Sequence, residues 1–165
     1  MDGAAILERL SGRFGAAVVE THAHRGDHTA VVARDALRAV LAWCRDEPAL
    51  AFDMLMDLTA VDDLKFPGRE DGPRFEVVYH LYSVAHNHRL RVKARVDEDD
   101  AVVPTATGLW PIADWFEREV WDMFGVRFAG HPDLRRLLMY EEFVGHPLRK
   151  DYPIERRQPL IGPQA

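Results

Sequence analysis

The residues best able to do chemistry in this chain are carboxylates on one helix and two close pairs of histidines. Residues 110–124, Trp-Pro-Ile-Ala-Asp-Trp-Phe-Glu-Arg-Glu-Val-Trp-Asp-Met-Phe, read as a strong helix that stops at Gly125. Pro111 suits a first helical turn, and Gly125 suits the residue just past the end. At helical spacing Ile112, Trp115, Phe116, Val120, Met123 and Phe124 form an apolar stripe. Asp114, Glu117, Arg118 and Asp122 fall largely opposite, whereas Glu119 falls on the apolar side. A carboxylate there requires a cationic or hydrogen-bonding partner. It is either a general acid or base tuned by burial, or half of a structural ion pair. The partner would be Arg127, Arg135, Arg136 or an arginine of another subunit. The ion pair is the preferred reading, because structural networks also recruit buried charge.

His22-Ala-His24 and His86-Asn-His88 share a spacing that puts two rings on one face of a strand. With carboxylates nearby, such a pair can bind zinc. Both pairs flank turn-like segments, where polar residues collect anyway, and no His-Glu-x-x-His or cysteine pair supports them. His131 and His146 each precede a proline, which places them in extended segments or turns. They suit hydrogen bonding at an interface better than catalysis. Arg25-Gly26-Asp27 reads as a turn. Asp57, Asp62 and Asp63 do not have the spacing of a calcium loop. The chain has no glycine-rich dinucleotide motif, phosphate-binding loop or nucleophile elbow. The single Cys44 excludes an internal disulfide and any all-cysteine iron–sulfur or zinc site.

The elements that must carry these residues follow from periodicity. Residues 6–14 have helical spacing. Residues 16–20 and 29–33 are short β-type runs flanking a turn at 24–28, which predicts a hairpin. Asp35 can cap a helix over 36–45 that Pro48 ends. Residues 52–61 alternate, with Phe52, Met54, Met56, Leu58 and Ala60 sharing one face. Residues 62–73 form a charged loop with Gly and Pro, and residues 75–84 and 90–96 make a second hairpin. In its second strand Arg91, Lys93 and Arg95 form a basic face, solvated or turned toward a partner.

This order predicts an α+β fold: a small antiparallel or mixed sheet with helices on one face, followed by a long extended C-terminal tail. The expected division is an α+β domain over 1–125 and a partner-binding tail over 126–165. The tail mixes aromatics, arginines and prolines without periodicity. It cannot easily bury a core of its own, yet has too many large apolar side chains for a solvated linker. The expected arrangement is a tail that lies along another protein and is mobile without it.

Composition bounds the function. Of the 165 residues, 47% are hydrophobic and 29% charged, with a net charge of −6. That argues against a nucleic-acid binder, which would show a basic face. No stretch approaches the ~18 apolar residues needed to span a bilayer. The acidic N-terminus does not read as a signal peptide. Membrane association is expected only through partners.

Three stretches carry a specific resemblance. They are Glu117-Arg-Glu-Val-Trp-Asp-Met-Phe-Gly-Val126, then Phe128 with Gly130-His-Pro-Asp-Leu-Arg-Arg-Leu-Leu138, then Gly145-His-Pro-Leu-Arg-Lys-Asp-Tyr-Pro153. Together they resemble the signature of the 30 kDa subunit of respiratory complex I, the NADH:quinone oxidoreductase of bacteria. Asp57-Leu-Thr-Ala-Val-Asp62 is similar to a second, weaker motif of that family. The resemblance implies a peripheral-arm subunit on the cytoplasmic face of the membrane, with no catalytic residue and no cofactor of its own. Flavin, iron–sulfur clusters, NADH and quinone would belong to the complex as a whole. The implied partners are the large 49 kDa-type quinone-site subunit and neighbouring iron–sulfur subunits. Glu117, Glu119, Asp122, Phe128, His131, Arg135, Arg136, His146, Arg149, Lys150, Asp151 and Tyr152 would then be structural or interfacial. Phe128, Leu134, Leu137, Leu138 and Tyr152 would be apolar anchors, with Arg135, Arg136, Arg149 and Lys150 meeting a partner's carboxylates. Related modules occur in ferredoxin-dependent complexes and membrane-bound hydrogenases. A stand-alone metal-dependent hydrolase built on the histidine pairs is the alternative of another class.

Overall fold

In a computed structural model, which describes residues 1–69 and 72–159, the predicted periodicities become elements in nearly the predicted order. They are α1 (Gly3–Phe14), β1 (Val18–His24), β2 (Asp27–Val32), α2 (Leu37–Asp46) and β3 (Met54–Asp62). The chain continues through β4 (Phe75–Ser83), β5 (His88–Val96), β6 (Val102–Pro104), α3 (Ala113–Phe124) and β7 (Arg127–Ala129). Asp2 caps α1, its Oδ1 accepting from the Ala5 amide at 2.9 Å. Asp35 does not cap α2: a 3₁₀ turn over Arg34–Ala36 leads in, and no side chain caps the first residue.

The main sheet has the order β1-β2-β5-β4-β3. Every neighbouring pair is antiparallel except β2 with β5, so the sheet is mixed. One face carries the core. Leu90, Val92, Ala94 and Val96 of β5 alternate onto it, and Ile6, Leu10, Leu37, Val40, Leu41 and Val120 cover it from the helices. The edge strands β1 and β3 each carry an irregularity in register, at Val18/Glu20 and at Leu55/Asp57. The second one corrects the predicted face of β3. Leu55 before the bulge and Leu58, Ala60 and Asp62 after it point inward, while Met54 and Met56 are exposed. One extra residue resets strict alternation.

The basic face of β5 is neutralised within the chain. Glu76, opposite Arg95 in register, accepts from Lys93 at 2.6 Å, Arg95 at 2.8 Å and Arg69 at 2.6 Å. Burial pushes its pKa up, but these three cations outweigh it and bring the value from the ordinary 4.5 to about 2. The stabilisation is therefore fully present above pH 4.5 and lost as pH falls toward 2. Acid unfolding of a Glu76→Gln variant should lack that part of the pH dependence between 4.5 and 2; an acid limb as steep as the parent's would refute it.

Beyond Gly125 the chain stays on the same body. β7 pairs in parallel with β6, and Val126 and Phe128 are buried in the common core. Phe128 is thus committed inside the chain and is not an anchor for a partner. Residues 130–159 contain no helix or strand, in keeping with the predicted extended tail, and run back over α3 and the end of the sheet. The tail's residues 160–165 lie outside the described residues.

Candidate functional site

The signature stretches converge on the two sides of α3, and the geometry there corrects the predicted helix face. Ala113, Glu117, Val120, Asp122, Met123 and Phe124 are buried. Glu119 is exposed, as are Ile112 and Trp115. Spacing alone weighted Trp115 and Ile112 as core and so turned the helix the wrong way. Glu117 and Glu119 lie about 200° apart on a helix, so rotating the buried arc exchanges them. The positions Ala113, Glu117, Val120 and Phe124 are a regular helical stripe with a carboxylate inside it.

Glu117 is satisfied by the turn that follows β6. Its Oε1 accepts from the Ala106 amide and its Oε2 from Thr105 Oγ1, both at 2.6 Å. His131, whose side chain is buried, places Nε2 3.2 Å from the Asp114 carbonyl and 4.0 Å from Glu117 Oε2. Its Nδ1 accepts from the Asp133 amide at 3.0 Å, which leaves the ring hydrogen on Nε2. Glu117→Ala strands two buried donors and should cost about 2 kcal/mol. Glu119→Ala should stay within about 0.5 kcal/mol. Urea unfolding of the two variants tests this, and the reverse order would restore the sequence-based helix face.

Asp122, buried on the other flank, nucleates the returning segment. Its Oδ2 accepts from the amides of Leu137 (3.0 Å), Leu138 (2.8 Å) and Met139 (2.9 Å), and its Oδ1 from Arg136 at 2.5 Å. Burial pushes its pKa up, but these donors outweigh it and hold the carboxyl below its ordinary range. Arg136 also donates to the carbonyls of Phe143 and Gly145 and lies over the rings of Trp121 and Phe143. It is spent inside the chain. Arg135, which sequence reasoning treated as its equal, points out and meets Asp133 on its own loop, at 2.9 Å. The main chain of Arg135 and Arg136 is held by Arg118, which donates to both carbonyls.

The third stretch closes over the C-terminal end of α3. His146 Nδ1 lies 3.0 Å from the Asp122 carbonyl, and Arg149 Nε donates to the Phe124 carbonyl at 2.5 Å. Arg149 also reaches Glu98 at 3.2 Å and covers the Phe75 ring. Gly125 makes this approach possible. At φ 81° it takes the left-handed helix cap, and a Cβ there would sit 2.6 Å from Arg149 Nη2 and 2.7 Å from the His146 ring. Gly125→Ala therefore meets both the backbone cost of ~1–2 kcal/mol and displacement of two clasp residues. Its thermal midpoint should drop clearly below that of Gly130→Ala, whose Cβ would find a 3.4 Å contact. Equal losses would mean that only the backbone conformation matters.

The last contacts join the two sequence motifs. Asp62, from the weaker motif, accepts from the Lys150 amide at 2.8 Å and from Arg74 Nε and Nη2 at 3.0 and 2.8 Å. Arg74 then reaches Asp151 at 2.7 Å and Glu98 at 2.7 Å. One guanidinium thus holds three carboxylates from three parts of the chain. Tyr152 is half-buried, stacks on Phe143 with ring centroids 6.0 Å apart, and accepts from Gln158 at 2.9 Å. Sequence reasoning missed Arg74, Glu98 and Thr105, for which no local signal exists. Asp62 had one, as the last residue of the weaker motif.

The histidine pairs do different work. His86 Nε2 lies 2.9 Å from the Pro48 carbonyl and His88 Nε2 2.7 Å from the Leu50 carbonyl, which ties the β4–β5 turn to the segment before β3. His22 faces Glu20 at 3.2 Å. Among the described residues no group of three or more His, Cys, Asp or Glu is gathered as a metal would need.

The signature residues Asp122, Arg136, His146, Arg149 and Asp151 thus lie in one linked set on one flank of α3, while Glu117 and His131 pack together on the other. Residues 30–158 match the family described as the respiratory-chain NADH dehydrogenase 30 Kd subunit. The chain belongs to that family. It is 47% identical over 158 residues to a subunit of the NADH-quinone oxidoreductase of Trichlorobacter lovleyi, covering 94% of each chain. It is 45% identical to the like-named protein of Acidithiobacillus ferrooxidans, over 90% of this chain and 74% of that one. Among solved structures it resembles the trypsin-resistant fragment (1-134) of Nqo5, with a TM-score of 0.71 and 32% identity, covering 81% of this chain and all of the fragment. It also resembles a chain of an archaeal membrane-bound sulfane sulfur reductase, with a TM-score of 0.72 and 28% identity, over 93% of this chain and 86% of that one. In this 30 kDa-family chain no helix among the described residues is long and apolar enough to cross a membrane.

Proposed function

We propose that this chain is a non-catalytic peripheral-arm subunit of an NADH:quinone oxidoreductase, seated on the large quinone-site subunit at the cytoplasmic face of the membrane. It supports electron transfer from NADH to quinone, coupled to proton translocation, by completing the arm; the flavin and iron–sulfur chemistry resides in neighbouring subunits. The observation that carries this reading is how the clasp spends its residues. Polar side chains of the signature hold the segment 130–159 against α3, and Leu138, Val144, Leu148 and Ile154 are left exposed along it. Trp115 and Ile112 add exposed apolar area from α3. An exposed apolar series presented on a well-fixed backbone suits a lasting protein interface. Its arginine contribution is narrower than the sequence suggested. Arg136 and Arg149 are used internally, while Arg135 and the Lys150 side chain are exposed.

The test is recovery of intact complex from membranes on native gels. Leu138→Asp together with Leu148→Asp should leave the isolated chain folded, since both side chains are exposed, and should abolish its incorporation. Normal incorporation would remove the segment from the interface. Replacing His22, His24, His86 and His88 by Ala should leave turnover per assembled complex unchanged. A loss of a hundredfold, the scale of a missing acid or base, would revive a catalytic role.

A further inference from the structure

The environment of Glu117 has a property that holding the C-terminal segment does not require. Its carboxyl is wholly buried, yet its hydrogen-bond partners are a backbone amide and a threonine hydroxyl rather than an arginine or lysine. The groups facing it come from every element around it. Asp114 lies one turn back on α3, its Oδ1 buried with no hydrogen bond among the described residues and 3.5 Å from His131 Nε2. The Tyr79 hydroxyl of β4 is buried beside it, also without a hydrogen bond among the described residues. Arg38 of α2 approaches but donates to the Thr105 carbonyl at 2.6 Å. His131 closes the side toward β7.

A chain of hydroxyls leads outward from this carboxyl. Glu117 Oε2 lies 2.6 Å from Thr105 Oγ1, which lies 3.0 Å from Thr107 Oγ1. Thr107 is half-buried and reaches the surface. The Thr107 amide also donates to Thr105 Oγ1 at 3.2 Å. A hydroxyl has one hydrogen to give and two lone pairs, so the chain is satisfied in two ways. With Glu117 ionised, Thr107 gives its hydrogen to Thr105 and Thr105 gives its own to the carboxylate. With Glu117 protonated, the carboxyl gives its hydrogen to Thr105 and Thr105 gives its own to Thr107. The Thr107 and Ala106 amides keep their acceptors in both cases.

We propose that Glu117 is a proton-binding site that exchanges with solvent through the Thr105 and Thr107 hydroxyls, and that its charge sets how firmly α3 grips the turn joining β6 to the rest of the chain. A hydronium ion gives a proton to Thr107 Oγ1 and leaves as water, while the Thr107 hydrogen passes to Thr105 Oγ1 and the Thr105 hydrogen to Glu117 Oε2, so that both hydroxyl bonds reverse. Bonds from Thr105 and Ala106 to a carboxylate are about twice as strong as those to a neutral acid. The grip therefore tightens on ionisation, while burial of the charge costs the fold as a whole. That burial, reinforced by Asp114 and opposed by the hydrogen bonds from Thr105 and Ala106, raises the pKa from 4.5 to about 7.

Carbon-13 NMR of the full chain with labelled glutamate decides the matter. The Glu117 carboxyl should titrate near neutrality, well apart from the exposed glutamates, and Thr105→Val should move its midpoint upward by removing a donor to the ionised form. A Glu117 midpoint in the ordinary carboxylate range, or one unmoved by Thr105→Val, would overturn the proposal. Stability gives an independent readout. A raised folded pKa means that the stabilisation is complete below 4.5 and lost as pH rises through about 7. The folding constant should fall by about a hundredfold between pH 5 and 8 relative to Glu117→Gln, in line with that shift. Parallel pH profiles for the two proteins would equally sink it. The NMR titration needs only the unmodified chain and Thr105→Val, so it decides the question even if the Gln variant fails to fold.

Discussion

Asp122→Ala should be among the most damaging single substitutions in this chain, costing about 4 kcal/mol, the range for removing one member of a buried ion pair. Asp122 is fully buried and holds three consecutive backbone amides together with Arg136. Without it those amides and a half-buried guanidinium lose their acceptor at once, and leaving buried donors unpaired is the expensive case. Asp122→Asn keeps one acceptor oxygen and should lose less. Urea unfolding ranks the three proteins, and trypsin reports where the damage lies. In the parent chain Arg136 is tied to Asp122 and two carbonyls, so cleavage there should be slow beside exposed Arg135. In Asp122→Ala the two sites should be cut alike. If Asp122→Ala and the parent unfold together, the carboxylate is solvated and the clasp is not what holds the segment.

Arg74→Ala is the second large effect, with a different signature. Asp62 is buried against Arg74 with a fully buried side chain, so removing the guanidinium strands an ionised group at a cost of roughly 3–5 kcal/mol. Asp151 and Glu98 are about half exposed and should contribute little to that loss. Their connection matters for position instead, because Arg74 and Asp62 fix residues 150–151 to the end of the sheet. The variant should combine global destabilisation with early cleavage after Arg149 and Lys150. Asp151→Ala should show the cleavage with little loss of stability. In a double-mutant cycle Asp62→Ala should add far less on the Arg74→Ala background than on the parent. Additive losses would mean that the two groups act independently.

These expectations revise the view of the C-terminal segment that the sequence suggested. A run of prolines, arginines and aromatics without periodicity reads as a tail in need of a partner, and the segment does lack helix and strand. What the sequence concealed is that its order comes from polar side chains meeting backbone groups. Asp122 on amides, Arg136 and Arg149 on carbonyls, and His146 on a carbonyl replace the hydrogen bonds of a regular element. Such bonds leave no period in the sequence. Leu138, Val144, Leu148 and Ile154 thereby face outward, while Leu134 and Met139 pack against the core.

The sequence by itself determined the three helices, the five strands of the main sheet and the family, but not the short pair β6 and β7, the second of which lies inside the predicted tail. Alternation in β5, the helical repeat of α2 and the glycine after α3 each depend on residues a few positions apart, and each took its predicted place. The signature over residues 117–153 is likewise continuous along the chain, so the family could be named from it. Only the tertiary structure decided which face of α3 is buried. Glu117 and Glu119 are chemically identical neighbours, and the choice between them rests on where Thr105 and Ala106 are brought by a separate strand. It also decided that Arg74 is the hub, through a contact spanning 77 residues that no local spacing encodes. Periodicity reports the environment of a residue only through its near neighbours. A buried charge is placed by its partners, and here those partners come from other elements of the fold.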